Sequence, residues 1–438
     1  MFKRKLEEEL SKWKQMPGRK PLILRGARQV GKTSLIRQWA SDNFPQCVEI
    51  NLEKKDQYNV FNAASSVADF LKRVKLVMGQ NIIESQTLLF IDEIQESKNV
   101  LELLRFFAEE KPGLHLITAG SLLEAKLGDN WTIPVGRVDY RYLYPLTFFE
   151  FLRAVGQLDL VQELQTVRWG ETLTGAVLAQ EWFKEYLTVG GMPEVVARWV
   201  PNKDYLAAQQ VLTRLQTAYA EDIGRYAVGA ERKYLELVIE IGPRLAGGLF
   251  NYHNFGESGY RSREIGEAVR KAEQVMLLRQ IIAINSTVLP LARKYKRSKK
   301  LVWLDVGLVN QINNNYQELL TGGYKGKIME QVVGQTLVAG SSSRPQDVYY
   351  WARNKDEGSA EVDYCVQLRN KLIAIEVKAG GIREMKSLFS LLKIDPQVVP
   401  IRVSWDQLQV ERYRHDGLQY EVRSIPFYLL ERWKELIV

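Results

Sequence analysis

Two cysteines in 438 residues, Cys47 and Cys365, are too few and too far apart to build a disulfide framework or a zinc cluster. Three histidines, His115, His253 and His415, stand singly, which argues against a histidine-rich metal centre and against a Ser-His-Asp triad. No apolar run approaches the ~20 residues that a membrane-spanning helix needs. The opening stretch, Met1-Phe2-Lys3-Arg4-Lys5-Leu6-Glu7-Glu8-Glu9, is charged throughout and has none of the apolar core of a secretory leader. Internal repeats and low-complexity tracts are missing as well. These absences together point to a cytoplasmic protein with no membrane partner. The hydrophobic content of 46% is enough for a packed core, and the length suggests about three domains. A net charge of +8 permits nucleic acid as a partner without requiring it.

Against this plain background one motif is complete. Gly26-Ala27-Arg28-Gln29-Val30-Gly31-Lys32-Thr33 reads G-x-x-x-x-G-K-T. The glycines let the backbone turn tightly and present N–H groups to phosphate oxygens. Lys32 reaches the β- and γ-phosphates of a nucleoside triphosphate, and the Thr33 hydroxyl suits Mg²⁺. An apolar run, Pro21-Leu22-Ile23-Leu24, precedes the loop as a buried strand should. A helix opening at Ser34 follows, and its N-terminus favours an anion. ATP with Mg²⁺ is the expected ligand. Further on, Leu88-Leu89-Phe90-Ile91 ends in Asp92-Glu93. At the end of a strand beside the loop, Asp92 would support the metal and Glu93 would polarise the attacking water. Leu114-His115-Leu116-Ile117-Thr118 reads as another strand, after which Ser121 or Thr118 could meet the γ-phosphate side; a helix cap is the competing reading for Ser121. Arg137 is a candidate for stabilising transition-state charge, in its own site or a neighbouring subunit's, with a surface ion pair as the alternative.

These residues, with Tyr144-Pro145-Leu146-Thr147-Phe148-Phe149-Glu150-Phe151, Gly190-Gly191-Met192-Pro193-Glu194 and Leu304-Asp305-Val306-Gly307-Leu308, resemble the prokaryotic AAA+-type ATPases that carry a C-terminal domain of unknown function. The resemblance covers nearly the whole chain. It implies an α/β ATPase core, a winged-helix-like middle and a C-terminal domain of restriction-endonuclease type. The expected division is 1–155 for the ATPase, 156–225 for a helical region, 226–321 for the winged-helix-like part and 322–438 for the nuclease-like part. Gly322-Gly323-Tyr324-Lys325-Gly326 is the expected linker. AAA+ resemblance also suggests assembly into homo-oligomeric rings.

In the last part, Glu361-Val362-Asp363-Tyr364-Cys365 and Ala374-Ile375-Glu376-Val377-Lys378 alternate as strands do. A turn at Arg369-Asn370 pairs Asp363 with Glu376; one at Asn370-Lys371 pairs Asp363 with Lys378. The spacing resembles a PD-(D/E)xK nuclease site. There Asp363 and Glu376 would hold Mg²⁺ or Mn²⁺, Lys378 would help activate water, and Glu330 matches the additional helix carboxylate. The plain alternative is a hairpin in which Lys378 pairs with Glu361 or Asp363. Upstream, Arg293-Lys294-Tyr295-Lys296-Arg297-Ser298-Lys299-Lys300 holds six basic residues in eight, between the β-like runs Thr287-Val288-Leu289 and Leu301-Val302-Trp303-Leu304. Arg293, Lys294, Lys296, Arg297, Lys299 and Lys300 are the candidate contacts to DNA phosphates. The sequence therefore predicts an ATPase whose C-terminal part binds nucleic acid, with cleavage of it left open. The alternatives are an ATP-dependent DNA-binding switch or a protein scaffold with an inactive nuclease fold.

Overall fold

The computed structural model describes residues 2–121, 136–225, 229–314, 323–354, 359–380 and 385–437. They form two compact units. The first comprises Met1–Pro145 with Gln274–Met276 and Ser341–Pro345; the second comprises Leu146–Glu273, Leu277–Gly340 and Gln346–Val438.

Short apolar runs alternating with helices build the first unit. Its strands are β1 (Leu22–Arg25), β2 (Gln46–Asn51), β3 (Thr87–Asp92), β4 (His115–Gly120) and β5 (Asp139–Tyr142). All pair in parallel, in the order β2-β3-β4-β1-β5. Every residue of β1, β3 and β4 is buried, which is why these three strands read as continuous apolar runs. Phe61, Phe70 and Phe107, from helices over Lys55–Asn62, Val67–Met78 and Lys98–Glu110, pack against Ile50, Leu89 and Ile91. Ser66 and Ser97 cap two of these helices by accepting from the N–H groups of Asp69 and Val100. Because the strands are parallel, the segments leaving β1, β3 and β4 share one edge of the sheet. The sequence pattern did not show β5, since Asp139-Tyr140-Arg141-Tyr142 has no apolar run and stays half-buried.

The second unit opens with helices, including Phe148–Ala154, Ala176–Val189, Pro193–Trp199 and Tyr205–Arg225. Its strands are β6 (Leu249–Phe250), β7 (Leu278–Ile284), β8 (Lys299–Trp303), β9 (Val348–Ala352), β10 (Glu361–Leu368), β11 (Lys371–Lys378), β12 (Val399–Ser404), β13 (Gln409–His415) and β14 (Leu418–Pro426). They form one mixed sheet in the order β13-β14-β12-β11-β10-β9-β7-β8-β6. The sheet thus runs across the boundary expected at 321/322, because Ile282 and Ile284 of β7 pair with Tyr349 and Trp351 of β9.

Two local expectations change. Tyr324, Lys325 and Gly326 open the helix Tyr324–Val338 rather than forming a linker, while Gly322 lies outside the described residues. The strand before the basic segment is β7, with Leu278, Ile281, Ala283 and Ile284 buried; Thr287-Val288-Leu289 follows it in irregular chain with Val288 exposed. Beyond β12 the chain adds the antiparallel hairpin β13–β14, whose first strand alternates between half-buried and exposed positions.

Two of the motifs that carry the family resemblance lock onto each other. Gly190 ends the helix Ala176–Val189 at φ 78°, ψ −171°, a region open essentially to glycine alone. A side chain there would meet Asp305 and the backbone of Gly307. Asp305, fully buried, caps the helix Val306–Asn313 by accepting from the N–H of Gly307 at 2.9 Å, and its other oxygen accepts from the N–H of Gly191 at 2.7 Å. Burial pushes its carboxyl up to about 6 against the pull of these N–H groups. Asp305→Ala strands buried donors and removes a cap, so the unfolding free energy should fall by about 2–3 kcal/mol in a urea titration.

Candidate functional site

The phosphate loop joins β1 to the helix Lys32–Asn43, with Gly31 left-handed at φ 93° as its N-cap. Gln29 also has positive φ, 64°, so the loop bends sharply at two places. Gly26 has no room for a side chain, because a Cβ would strike the Leu143 carbonyl. Lys32, buried, donates to the carbonyls of Gly26 and Ala27, both at 2.9 Å. Burial lowers its pKa to about 8, although Glu93 and Asp92 pull it upward. The ammonium therefore folds back over its own loop, where a phosphate would meet it.

β4 separates β1 from β3, yet Thr33 Oγ1 still donates to Asp92 Oδ2 at 2.7 Å. The loop and the end of β3 thus meet across the sheet edge. Desolvation raises the pKa of both Asp92 and Glu93. Glu93 sits at φ 54°, a left-handed turn that redirects the chain as β3 ends. Thr33 and Asp92 present adjacent hard oxygens, a donor set that suits Mg²⁺.

Two residues escaped the sequence reading. Gln95, buried, donates through Nε2 to Glu93 Oε2, orienting the carboxylate. Its place two residues beyond Glu93 was the available signal. Arg4, buried near the start of the chain, donates to the carbonyls of Val30 at 3.1 Å and Tyr144 at 2.6 Å. A trans peptide points its C=O and N–H in opposite directions. By holding the Val30 carbonyl, Arg4 orients the N–H of Gly31 within the loop. Nothing in a charged N-terminal helix distinguishes such an arginine.

The other candidates of this unit divide. Ser121, buried, follows β4 at the edge where the loop lies. Thr118 is inside β4, paired between Ile23 and Ile91. Arg137 precedes β5, whose Asp139 aligns with Leu22 at the opposite end of β1 from the loop. It is half-exposed and paired with Glu109 at 3.1 Å. A role for Arg137 in its own chain's phosphate site is thereby corrected: the length of a strand separates them. His115 is core, edge-on to Trp13 and Phe44, with its pKa lowered to about 4 by burial and then by Arg19.

In the second unit Leu368 pairs with Lys371, so the turn is Arg369-Asn370, the register that aligns Asp363 with Glu376. Lys378 pairs with Glu376 at 2.9 Å, not with Glu361 or Asp363 as the hairpin alternative held. The larger correction concerns Lys300. Expected on the surface among the DNA contacts, its side chain is only 2% exposed and lies 2.7 Å from Glu330, 3.3 Å from Asp363 and 3.7 Å from Glu361. It belongs to β8, a buried strand, and not to the turn before it. Burial alone would lower its pKa, but Asp363, Tyr364 and Glu330 raise it overall. Glu330 and Glu376 are both pushed up to about 7, first by burial and then by Asp363. Among the described residues no group of three or more histidine, cysteine or acidic side chains is arranged to hold a metal ion.

The basic segment lies between the antiparallel strands β7 and β8. Lys294 and Lys296 are exposed, and Arg293 is exposed but paired with Asp347 at 3.2 Å. Arg297 donates to the Arg353 carbonyl at 2.7 Å. Lys299 lies over the Tyr252 ring at 4.2 Å. Only part of the octet therefore faces solvent freely.

Two outcomes follow from these environments. Arg4→Ala should weaken nucleotide binding about 5- to 20-fold, roughly the net worth of one hydrogen bond, as read by fluorescent-nucleotide titration. Glu376, at about 7 in the folded chain against an ordinary 4.5, binds its proton more tightly when folded. Its contribution to stability is complete below the ordinary value and is lost as pH rises through the folded one. Glu376→Gln should therefore shrink the fall in urea midpoint between about pH 5 and about pH 8.

Residues 18–152 match the model of a family described as an AAA domain. Residues 180–318 and 325–416 match two domains of unknown function, DUF8612 and DUF4143. No curated protein matches the chain. Among solved structures, C. elegans PCH-2 is similar at 12% identity over 50% of this chain and 63% of that one, with a TM-score of 0.28. The Thermotoga maritima RuvB Holliday junction branch migration motor is similar at 18% identity over 67% and 93%, with a TM-score of 0.29. TM-scores this low do not define a shared fold. Residues 18–152 thus combine the AAA-domain match and the complete phosphate loop with a five-stranded parallel sheet, the P-loop NTPase fold.

Proposed function

We propose that this protein hydrolyses ATP at the loop of its first unit and binds nucleic acid with its second. The observation that carries the first half is the meeting of Lys32, Thr33, Asp92 and Glu93 at one sheet edge, with Thr33 and Asp92 in direct contact. Water attacks the γ-phosphate in line with the departing diphosphate. Glu93, held by Gln95, accepts a hydrogen bond from that water and orients it. Lys32 leaves the carbonyls of Gly26 and Ala27 and neutralises charge on the β- and γ-oxygens. The loop N–H groups fix the phosphate chain. Mg²⁺, held through Thr33 and Asp92, would supply further charge neutralisation when bound. In a homo-oligomer, a neighbouring copy's site is the place left for Arg137.

For the second unit, the exposed Lys294 and Lys296 beside Tyr295, itself 61% exposed, support phosphate contact with an added stacking surface. Lys300 inside the acidic cluster favours binding over cleavage, the reading in which the nuclease-like fold is an ATP-dependent switch. Steady-state assays should show ATP hydrolysis lowered about 100-fold or more in Lys32→Ala and in Glu93→Gln, with Glu93→Gln still binding nucleotide. Wild type that hydrolyses no ATP sinks the first half. For the second, duplex DNA affinity should fall with salt. Lys294→Ala/Lys296→Ala should flatten the log–log slope by about 2. DNA affinity that is absent at low salt would leave the scaffold reading.

A further inference from the structure

The C-terminal fold that this chain resembles gathers carboxylates around a divalent metal, and the residues here do not fit one. The centre of the cluster already holds a cation. Lys300 Nζ is 2.7 Å from Glu330 Oε2, 3.3 Å from Asp363 Oδ1 and 3.7 Å from Glu361 Oε1. The three carboxylates come from different places, one from the helix Tyr324–Val338 and two from β10, and converge on the tip of a single side chain from β8. The Tyr364 ring lies 5.0 Å from the same nitrogen. The second oxygen of Asp363 is occupied as well, accepting from the N–H of Val377 at 2.8 Å. Glu376 turns Oε1 to Lys378, while its Oε2 is buried without a partner.

A metal bound by Glu330 and Asp363 would need the oxygens that Lys300 now holds, and it would meet a like charge a few ångströms away. The Lys300 side chain is held inside the cluster, on a strand fixed by pairing. Its neighbours Leu301 and Val302 are buried, and Leu301, Val302 and Trp303 pair with β7. We propose that Lys300 is the resident cation of this acidic site, its ammonium joining Glu330, Glu361 and Asp363 in the place of a divalent metal. The cluster is then complete without metal, and β8 is tied to β10 and the helix by charge as well as by packing. This holds whether or not the second unit binds nucleic acid.

Mn²⁺ alone is the probe, counted by electron paramagnetic resonance on the full chain without nucleotide or DNA. Every protein carries Asp92→Asn, so that the phosphate-loop carboxylate contributes no site. With Lys300 present, no Mn²⁺ binding that depends on Asp363 should be seen at millimolar metal. Lys300→Met should take up one Mn²⁺ per chain, lost again on adding Asp363→Asn, and its melting temperature should rise with Mn²⁺. Asp363-dependent Mn²⁺ binding with Lys300 in place would overturn the proposal. So would a folded Lys300→Met that takes up none. If Lys300→Met is not recovered folded in chelator, refolding decides. Recovery with Mn²⁺ supports the exchange of one cation for the other, and recovery in neither condition overturns it. Loss of DNA binding or of ATP hydrolysis would bear on the proposed function alone, since neither ligand enters this experiment.

Discussion

A charge taken out of water must be met by an opposite charge or by a set of N–H groups, and both units are organised around that requirement. In the first, Lys32 is buried in a loop of carbonyls, with the carboxylates of Asp92 and Glu93 acting on it. In the second, Lys300 gathers three carboxylates from two elements. Asp305 is met by three backbone N–H groups. Arg402, also buried, is answered by Glu411 at 2.6 Å and Asp406 at 2.7 Å. Lys300 and Asp305 join segments distant in sequence, and so fix positions that apolar packing alone would leave free to slide.

The two lysines differ in what they wait for. Lys32 is bonded to neutral carbonyls, and burial makes its charge costly. A triphosphate entering the loop offers it a far better partner, and the shift from carbonyl to phosphate is favourable for that reason. Lys300 already has its anions, and their field raises its pKa. One ammonium is poised for a ligand; the other closes a site. Glu93 belongs with the first kind. Its left-handed backbone and the hydrogen bond from Gln95 fix the carboxylate at the end of β3, the preorganisation that the proposed attack of water on phosphate needs.

Much of this was legible in the linear chain. The strand, loop and helix around Gly26–Thr33 are local, and each residue's role follows from its neighbours. β1, β3 and β4 are buried on both faces, so their apolar runs announced them. Asp92 and Glu93 could be placed because a parallel strand must end at the same edge as the loop. The hairpin turn narrowed to two registers, since alternation alone leaves the turn residue open. What stayed hidden was β5, which pairs with β1 but carries no apolar run.

The sequence by itself determined the phosphate loop, because that motif is built from contiguous residues whose backbone sets its shape. Only the tertiary structure decided where the isolated charges went. It sent Arg4 to the loop and Arg137 to the far end of the sheet, and it put Lys300 among carboxylates rather than in solvent. A run of six basic residues in eight looks uniform along the chain. The last of them falls inside a strand whose neighbours come from distant segments. Burial and pairing depend on those neighbours, and no local pattern specifies them.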